Sequence, residues 1–164
     1  MKITLEMLKE KGAVCEGLKE FKKRYGIEAD YQEMLDVLST DESISNNNRL
    51  SWVRWLMQKF GSLNTVKKVE GDLKVKFCFF AGSIEVTGKI FIEAGGYIEA
   101  GRYIKAGEFI KAGRYIEAGE SIEAGGDYGI YVGLSIRISL KPEKAIVKSK
   151  EEPKNLLLGR WIKI

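Results

Sequence analysis

Carboxylates at regular spacing are the first residues in this 164-residue chain that could do chemistry. Glu93, Glu99, Glu117 and Glu123 recur in one repeated pattern, and a pair of them held close together would suit acid–base work. Lys105 and Lys111 occupy the equivalent places between them, so the series reads instead as a charge-compensated, solvated face. The chain carries 18 glycines, yet neither GxGxxG nor GxxxxGKS/T opens a helix, and no phosphate loop is expected. Histidine is absent, which excludes Ser-His-Asp and Cys-His catalysis, His-ligated zinc and any imidazole base. Cys15 and Cys78 have no CxxC partner; a single disulfide between them is the alternative to the preferred reading, two buried, reduced thiols of a cytosolic protein. These patterns point to no catalytic residue, no metal site and no cofactor; the expectation is a protein that is not an enzyme.

Binding chemistry has better candidates. Phe91, Tyr97, Tyr103, Phe109 and Tyr115 recur every six residues, each just before an isoleucine, so they face away from the isoleucine side of the chain. An aromatic series of this kind on the outside of a fold packs beneath the N-terminal helices or at a self-association face, or else serves as a partner-binding surface. Charge supplies a second set. Residues 1–61 hold 10 basic and 10 acidic side chains, residues 62–128 hold 9 and 10, and residues 129–164 hold 8 and 3. The net charge of +4 therefore belongs to the last 36 residues, where Arg137, Lys141, Lys144, Lys148, Lys150 and Lys154 are candidates to meet an acidic protein or phosphate.

The elements that must position these residues follow from repeats. From Phe91 the chain reads FIEAGG, YIEAGR, YIKAGE, FIKAGR, YIEAGE, SIEAGG, which spans residues 91–126. Isoleucine and alanine lie two apart, so they share one face of a strand, and glycine marks a corner. A helix would carry isoleucines at this spacing around its axis and bury glycine in its interior. The pattern predicts a parallel β-helix, or β-solenoid. Three hexads per coil would stack Glu93 on Lys111, Lys105 on Glu123 and Arg102 on Glu120, with Glu99 on Glu117 as a like pair; this arrangement is preferred over two hexads per coil because three faces leave an interior that isoleucine and alanine can fill.

Upstream of the hexads, Thr4 suits a helix cap, and Val14, Leu18, Phe21 and Tyr25 mark one helical face ending at Gly26. Asp30 and Glu33 resemble a capping box, the polar stretch 40–48 reads as an exposed loop, and Val53, Leu56, Met57 and Phe60 mark a last helix ending at Gly61. Downstream, Tyr128, Ile130, Val132, Leu134, Ile136 and Ile138 alternate as a strand does. The expected organisation is a helical region over 1–61, a solenoid over 62–140 and a basic strand or capping segment over 141–164. The fold class is α+β, with short helices capping a parallel β-solenoid.

The IEAG hexads resemble those of β-helix proteins, including bactofilin-like polymer-forming proteins and hexapeptide-repeat transferases. The transferases depend on a histidine that this chain lacks, so their activity is not implied. The run LKEKGAVCEGLKEF, the later WVRWL and the closing PKNLLLGRW look similar to small bacterial and phage proteins of unassigned function. What the resemblance implies is a cytoplasmic protein of a bacterial host cell that binds a protein partner: a phage or mobile-element inhibitor of a host defence complex, anti-CRISPR-like. The alternative is a self-associating, bactofilin-like scaffold, with a homodimer as its simplest form. Nucleic acid is the weaker partner, and a membrane is not expected, since no stretch approaches about 20 apolar residues.

Overall fold

The computed structural model describes residues 1–134, 136 and 138–164; Arg137, one of the basic candidates, lies outside the described residues. The chain divides into two compact units, Met1–Gly61 and Ser62–Ile164.

The first unit is built from strand β1 (Lys2–Thr4), helices α1 (Leu5–Glu10) and α2 (Cys15–Tyr25), strand β2 (Glu28–Asp30), and helices α3 (Tyr31–Thr40) and α4 (Asn46–Phe60). Side-chain oxygens start three of the helices, each cap contributing about 1 kcal/mol. Thr4 accepts from the Met7 N–H at 3.2 Å, and Asp30 accepts from the N–H groups of Gln32 and Glu33 at 2.9 and 3.3 Å. Gly26 and Gly61 leave α2 and α4 with φ of +76° and +74°, a conformation costly for any residue with a Cβ. The expected loop over 40–48 shrinks, because Ser45 accepts from the Asn48 N–H at 3.3 Å and the asparagine run becomes the first turn of α4. Strands β1 and β2 pair antiparallel over three residues each, too short for alternation to announce them.

Ile3, Leu8, Phe21, Leu35, Leu38, Val53 and Leu56 form the buried interior of this unit, together with one cation. Arg49 is 2% exposed; its guanidinium donates to the carbonyls of Leu38, Asp41 at 2.7 Å and Ile44 at 3.2 Å, tying the 41–45 loop to α4. Burial pushes its pKa down from the usual arginine value. The cysteines differ from expectation: Cys78 is buried, but Cys15, in the first turn of α2, is exposed. No helix among the described residues is long and apolar enough to cross a membrane.

The second unit holds β3 (Val66–Val69), β4 (Leu73–Phe80), β5 (Ser83–Val86), β6 (Ile90–Ala100), β7 (Ile104–Ala106), β8 (Ile110–Ala112), β9 (Tyr115–Ala118), β10 (Ile122–Glu123), β11 (Ile130–Val132), the short helix α5 (Lys141–Lys144), β12 (Ile146–Ser149), β13 (Leu156–Leu158) and β14 (Arg160–Lys163). These strands pair in parallel, in three stacks. The first face runs β3-β5-β7-β10. The second joins the leading halves of β4 and β6 to β8, β11 and β13, and the third joins their trailing halves to β9, β12 and β14. The result is a three-faced parallel β-solenoid of about three turns.

Isoleucine fills it. Ile84, Ile90, Ile98, Ile104, Ile110, Ile116, Ile122 and Ile130 are buried along its interior, each worth roughly 1.5–3 kcal/mol of apolar burial. Ile98 lies in register with Ile116 and Ile104 with Ile122, a coil of 18 residues. Elsewhere the register is 20: Ile84 with Ile104, Ile90 with Ile110, and Ile110 with Ile130. Two extra residues enter between Ile90 and Ile98, and two more between Ile122 and Ile130.

The first hexad is therefore out of phase with the others. Ile92 pairs with Ala112 in the alanine column, Ala94 is exposed, and Lys111 meets Phe91 rather than the expected Glu93. Gly96, Gly101, Gly107, Gly119 and Gly125 are required by close approach rather than by a positive φ; a Cβ on Gly107 would collide with the carbonyl of Thr87 one coil below. The expected strand over 128–138 stops at Val132, because Gly133 turns with φ +86° and a 3-10 turn occupies Ile138–Leu140.

Candidate binding surfaces of the solenoid

With three strands per coil, the outward residues fall into ladders down each face. On the first face, Lys68, Glu85, Lys105 and Glu123 follow one another in register, alternating in sign, and Lys105 reaches Glu123 at 3.9 Å. The Tyr103 hydroxyl donates to Glu85 at 2.5 Å, and this bond to a carboxylate holds the phenol above its usual pKa. Beside the ladder, Arg102 Nε meets Glu120 at 3.0 Å. Such exposed pairs contribute only about 0–1 kcal/mol each, so their main effect is to leave this face electrically balanced.

On the second face, cations alternate with rings. Phe91 lies between Lys74 and Lys111, whose ammonium groups are 5.8 and 5.4 Å from its centroid. Lys111 is also in register with Tyr131. Phe109 receives Lys89 at 5.7 Å, and Lys89 is paired with Glu108 at 3.7 Å.

The third face is aromatic. Phe77 and Tyr97 stack with centroids 5.9 Å apart and planes within 9°, and Tyr97 continues to Tyr115 at 6.2 Å. Tyr97 and Tyr115 are only 9% and 5% exposed. Glu99, buried, is in register with Glu117, which accepts from the Tyr115 hydroxyl and lies 3.9 Å from Lys148.

The five sequence-picked aromatics thus separate. Tyr97 and Tyr115 share one column, Phe91 stands on the second face, and Phe109 and Tyr103 sit just before β8 and β7, at the entries to the second and first faces. The basic candidates separate too. Lys141 and Lys144 belong to α5, Lys148 lies over Tyr115 at 5.6 Å on the third face, and Lys150 and Lys154 are exposed.

The edges carry cations that the repeat does not announce. In the first coil these are Lys67, Lys68, Lys74 and Lys76, with Lys67 at an interior position over Phe80 at 6.0 Å; in the last coil they are Arg160 and Lys163.

Two concavities were not expected from sequence. In the helical unit, a cavity of about 160 Å³ is lined by Leu8, Phe21, Leu38, Trp52, Trp55 and Leu56 among others, with Arg24 bridging Glu20 and Asp41 at its rim. In the solenoid, a basin of about 330 Å³ forms where the second pair of extra residues pushes the corner outward. Phe109, Tyr128, Tyr131, Leu157, Asp127 and Asn155 line it. The spacing of eight rather than six between Ile122 and Ile130 was its signal in the sequence. No group of three or more His, Cys, Asp or Glu side chains among the described residues could hold a metal ion.

Fold and surface together define a class: a short three-faced β-solenoid following a unit of capped helices, with charge and ring ladders on its faces. No family model matches the chain, and no curated protein or solved structure matches it.

Proposed function

We propose that this chain is a non-enzymatic binding protein, a phage or mobile-element inhibitor that docks on a host defence complex in the manner of anti-CRISPR proteins. The observation that carries the reading is the charge on the two edges of the solenoid. Lysines on an edge strand discourage pairing with another sheet, and the first coil presents Lys67, Lys68, Lys74 and Lys76 while the third face ends on Arg160 and Lys163. End-to-end growth as a bactofilin-like scaffold is disfavoured on that ground. A discrete species facing an acidic partner is favoured, and the surplus of 8 basic over 3 acidic side chains in residues 129–164 supports the same polarity. The repeat carboxylates Glu85 and Glu123 are spent in a ladder with Lys105, which supports binding rather than acid–base catalysis.

The test is affinity capture from a bacterial lysate with the native chain and with a Lys150→Glu, Lys154→Glu variant, each with and without nuclease. A defined host complex recovered by the native chain and lost by the variant supports the proposal. Equal recovery by both overturns the basic docking surface. In parallel, light scattering across a concentration series is expected to show one constant mass; a mass that climbs with concentration would favour the scaffold.

A further inference from the structure

The basin at the displaced corner has its own chemistry, and it stands apart from the proposed docking of basic surfaces. The two extra residues before Ile130 lift a turn in which the Tyr128 N–H donates to the Gly125 carbonyl at 2.8 Å. That turn is anchored from the next coil: the Ile130 N–H donates to the Asn155 carbonyl at 2.8 Å, and the Asn155 amide reaches the Gly126 carbonyl at 3.4 Å. Gly129 forms the floor, where a Cβ would collide with Leu157. Around it stand the rings of Phe109, Tyr128 and Tyr131, with Tyr128 43% exposed.

Asp127 is the one ionisable carboxylate in this lining, and it is exposed. Of two neighbouring lysines, Lys111 is engaged over Phe91, outside the basin, whereas Lys89 lies over Phe109, one of the basin's own rings, and beside Glu108. The fold itself therefore already lays an ammonium on one ring of the basin. Ring faces carry negative potential and attract a cation, and a carboxylate beside them adds to it. An anion would meet Asp127 unfavourably, and a bare ammonium would keep its water, so the best fit is a cation with an apolar coat.

We infer that this basin binds an alkylated ammonium group, presented either by a methylated lysine of a partner protein or by a free choline-type molecule. The probes are choline, a short peptide carrying trimethyl-lysine, and 3,3-dimethylbutan-1-ol, the uncharged twin of choline. Binding is read from backbone amide shifts of Gly126, Asp127, Tyr128 and Gly129 in the full chain. Saturable shifts are expected with both ammonium probes, with choline roughly fivefold tighter than its neutral twin. The tighter of the two ammonium probes identifies the source. Asp127→Asn and Tyr128→Leu should each remove most of that preference, Tyr128→Phe should keep it, and Glu143→Gln, at a residue of α5 that does not line the basin, should leave it unchanged. Equal affinity for the neutral twin, no saturable shift with either ammonium probe, or the same amides responding to glucose would overturn the assignment.

Discussion

The backbone of Gly107 rests against the carbonyl of Thr87, with no room between them for a methyl group. The contact joins consecutive coils at a corner, and Gly107 has an ordinary negative φ, so space rather than backbone conformation demands glycine there. Gly107→Ala is expected to destabilise the solenoid by about 1–3 kcal/mol, the usual cost of forcing atoms into a filled site. Gly126→Ala supplies the contrast, because nothing lies within 4 Å of its Cβ position and its φ is not positive. That substitution should change stability by no more than about 1 kcal/mol. Urea unfolding of the two variants measures the difference, and similar losses would sink the close-approach account.

Arg49 should be the most sensitive polar residue of the helical unit. Arg49→Ala takes the guanidinium donor from the carbonyls of Leu38 and Ile44 and leaves the Asp41 carbonyl the Ile44 N–H at 3.3 Å, at a cost of about 2–4 kcal/mol. Lysine has no planar fork to reach all three, so Arg49→Lys should recover only part of the loss. Thermal melts followed by far-UV circular dichroism would rank the three proteins.

Acid should weaken the same unit in a defined window. Hydrogen bonds from the Ser43 hydroxyl and N–H, followed by the Arg24 guanidinium, pull the Asp41 carboxyl from 3.8 to about 2. A pKa lower in the folded state means that the unfolded chain takes up the proton first. The stabilisation is therefore complete above 3.8 and is lost as the pH falls through about 2. Asp30 is also lowered, chiefly by its bond to the N-terminal ammonium, and acts in the same direction. Asp41→Asn should flatten the pH dependence of the denaturation midpoint across that interval, and an unchanged slope would count against it.

Thiol labelling offers a simple check on packing. With Cys15 exposed and Cys78 buried, a thiol reagent should modify one cysteine rapidly in the native protein and both in urea. Cys15→Ser should abolish the fast phase. Two fast thiols in the native protein would contradict the burial of Cys78 in the first coil.

The coils were legible because isoleucine at a fixed interval has one economical place to go, inside. The stacking of Arg102 on Glu120 and Lys105 on Glu123 followed from counting 18 residues along the repeat. Ile92 defeated the same count. FIEAGG looks like its successors, but its position is set by Val75 below and Ala112 above, a relation between coils that a single hexad does not contain. The aromatic series misled for a related reason: neighbours along the chain turn a corner between one ring and the next, so they part company on three faces. The basin was hidden further still, since Phe109, Tyr128 and Leu157 meet only after stacking. Alternation beyond Val132 continued in the sequence after Gly133 had already turned the chain away.

The winding of the second unit also determines how it would yield to force. Each strand is held by the strands directly above and below it, and in the third stack β14 is tied to β12 and β12 to β9. Traction on Ile164 would peel β14 away first, then β13 from β11 and then β12, while the hydrogen bonds between β6 and β9 still carried no load. A regular 18-residue coil would release roughly 60 Å of thread when it gave way. Such a molecule unspools from its end, one loop after another, instead of bursting open at once.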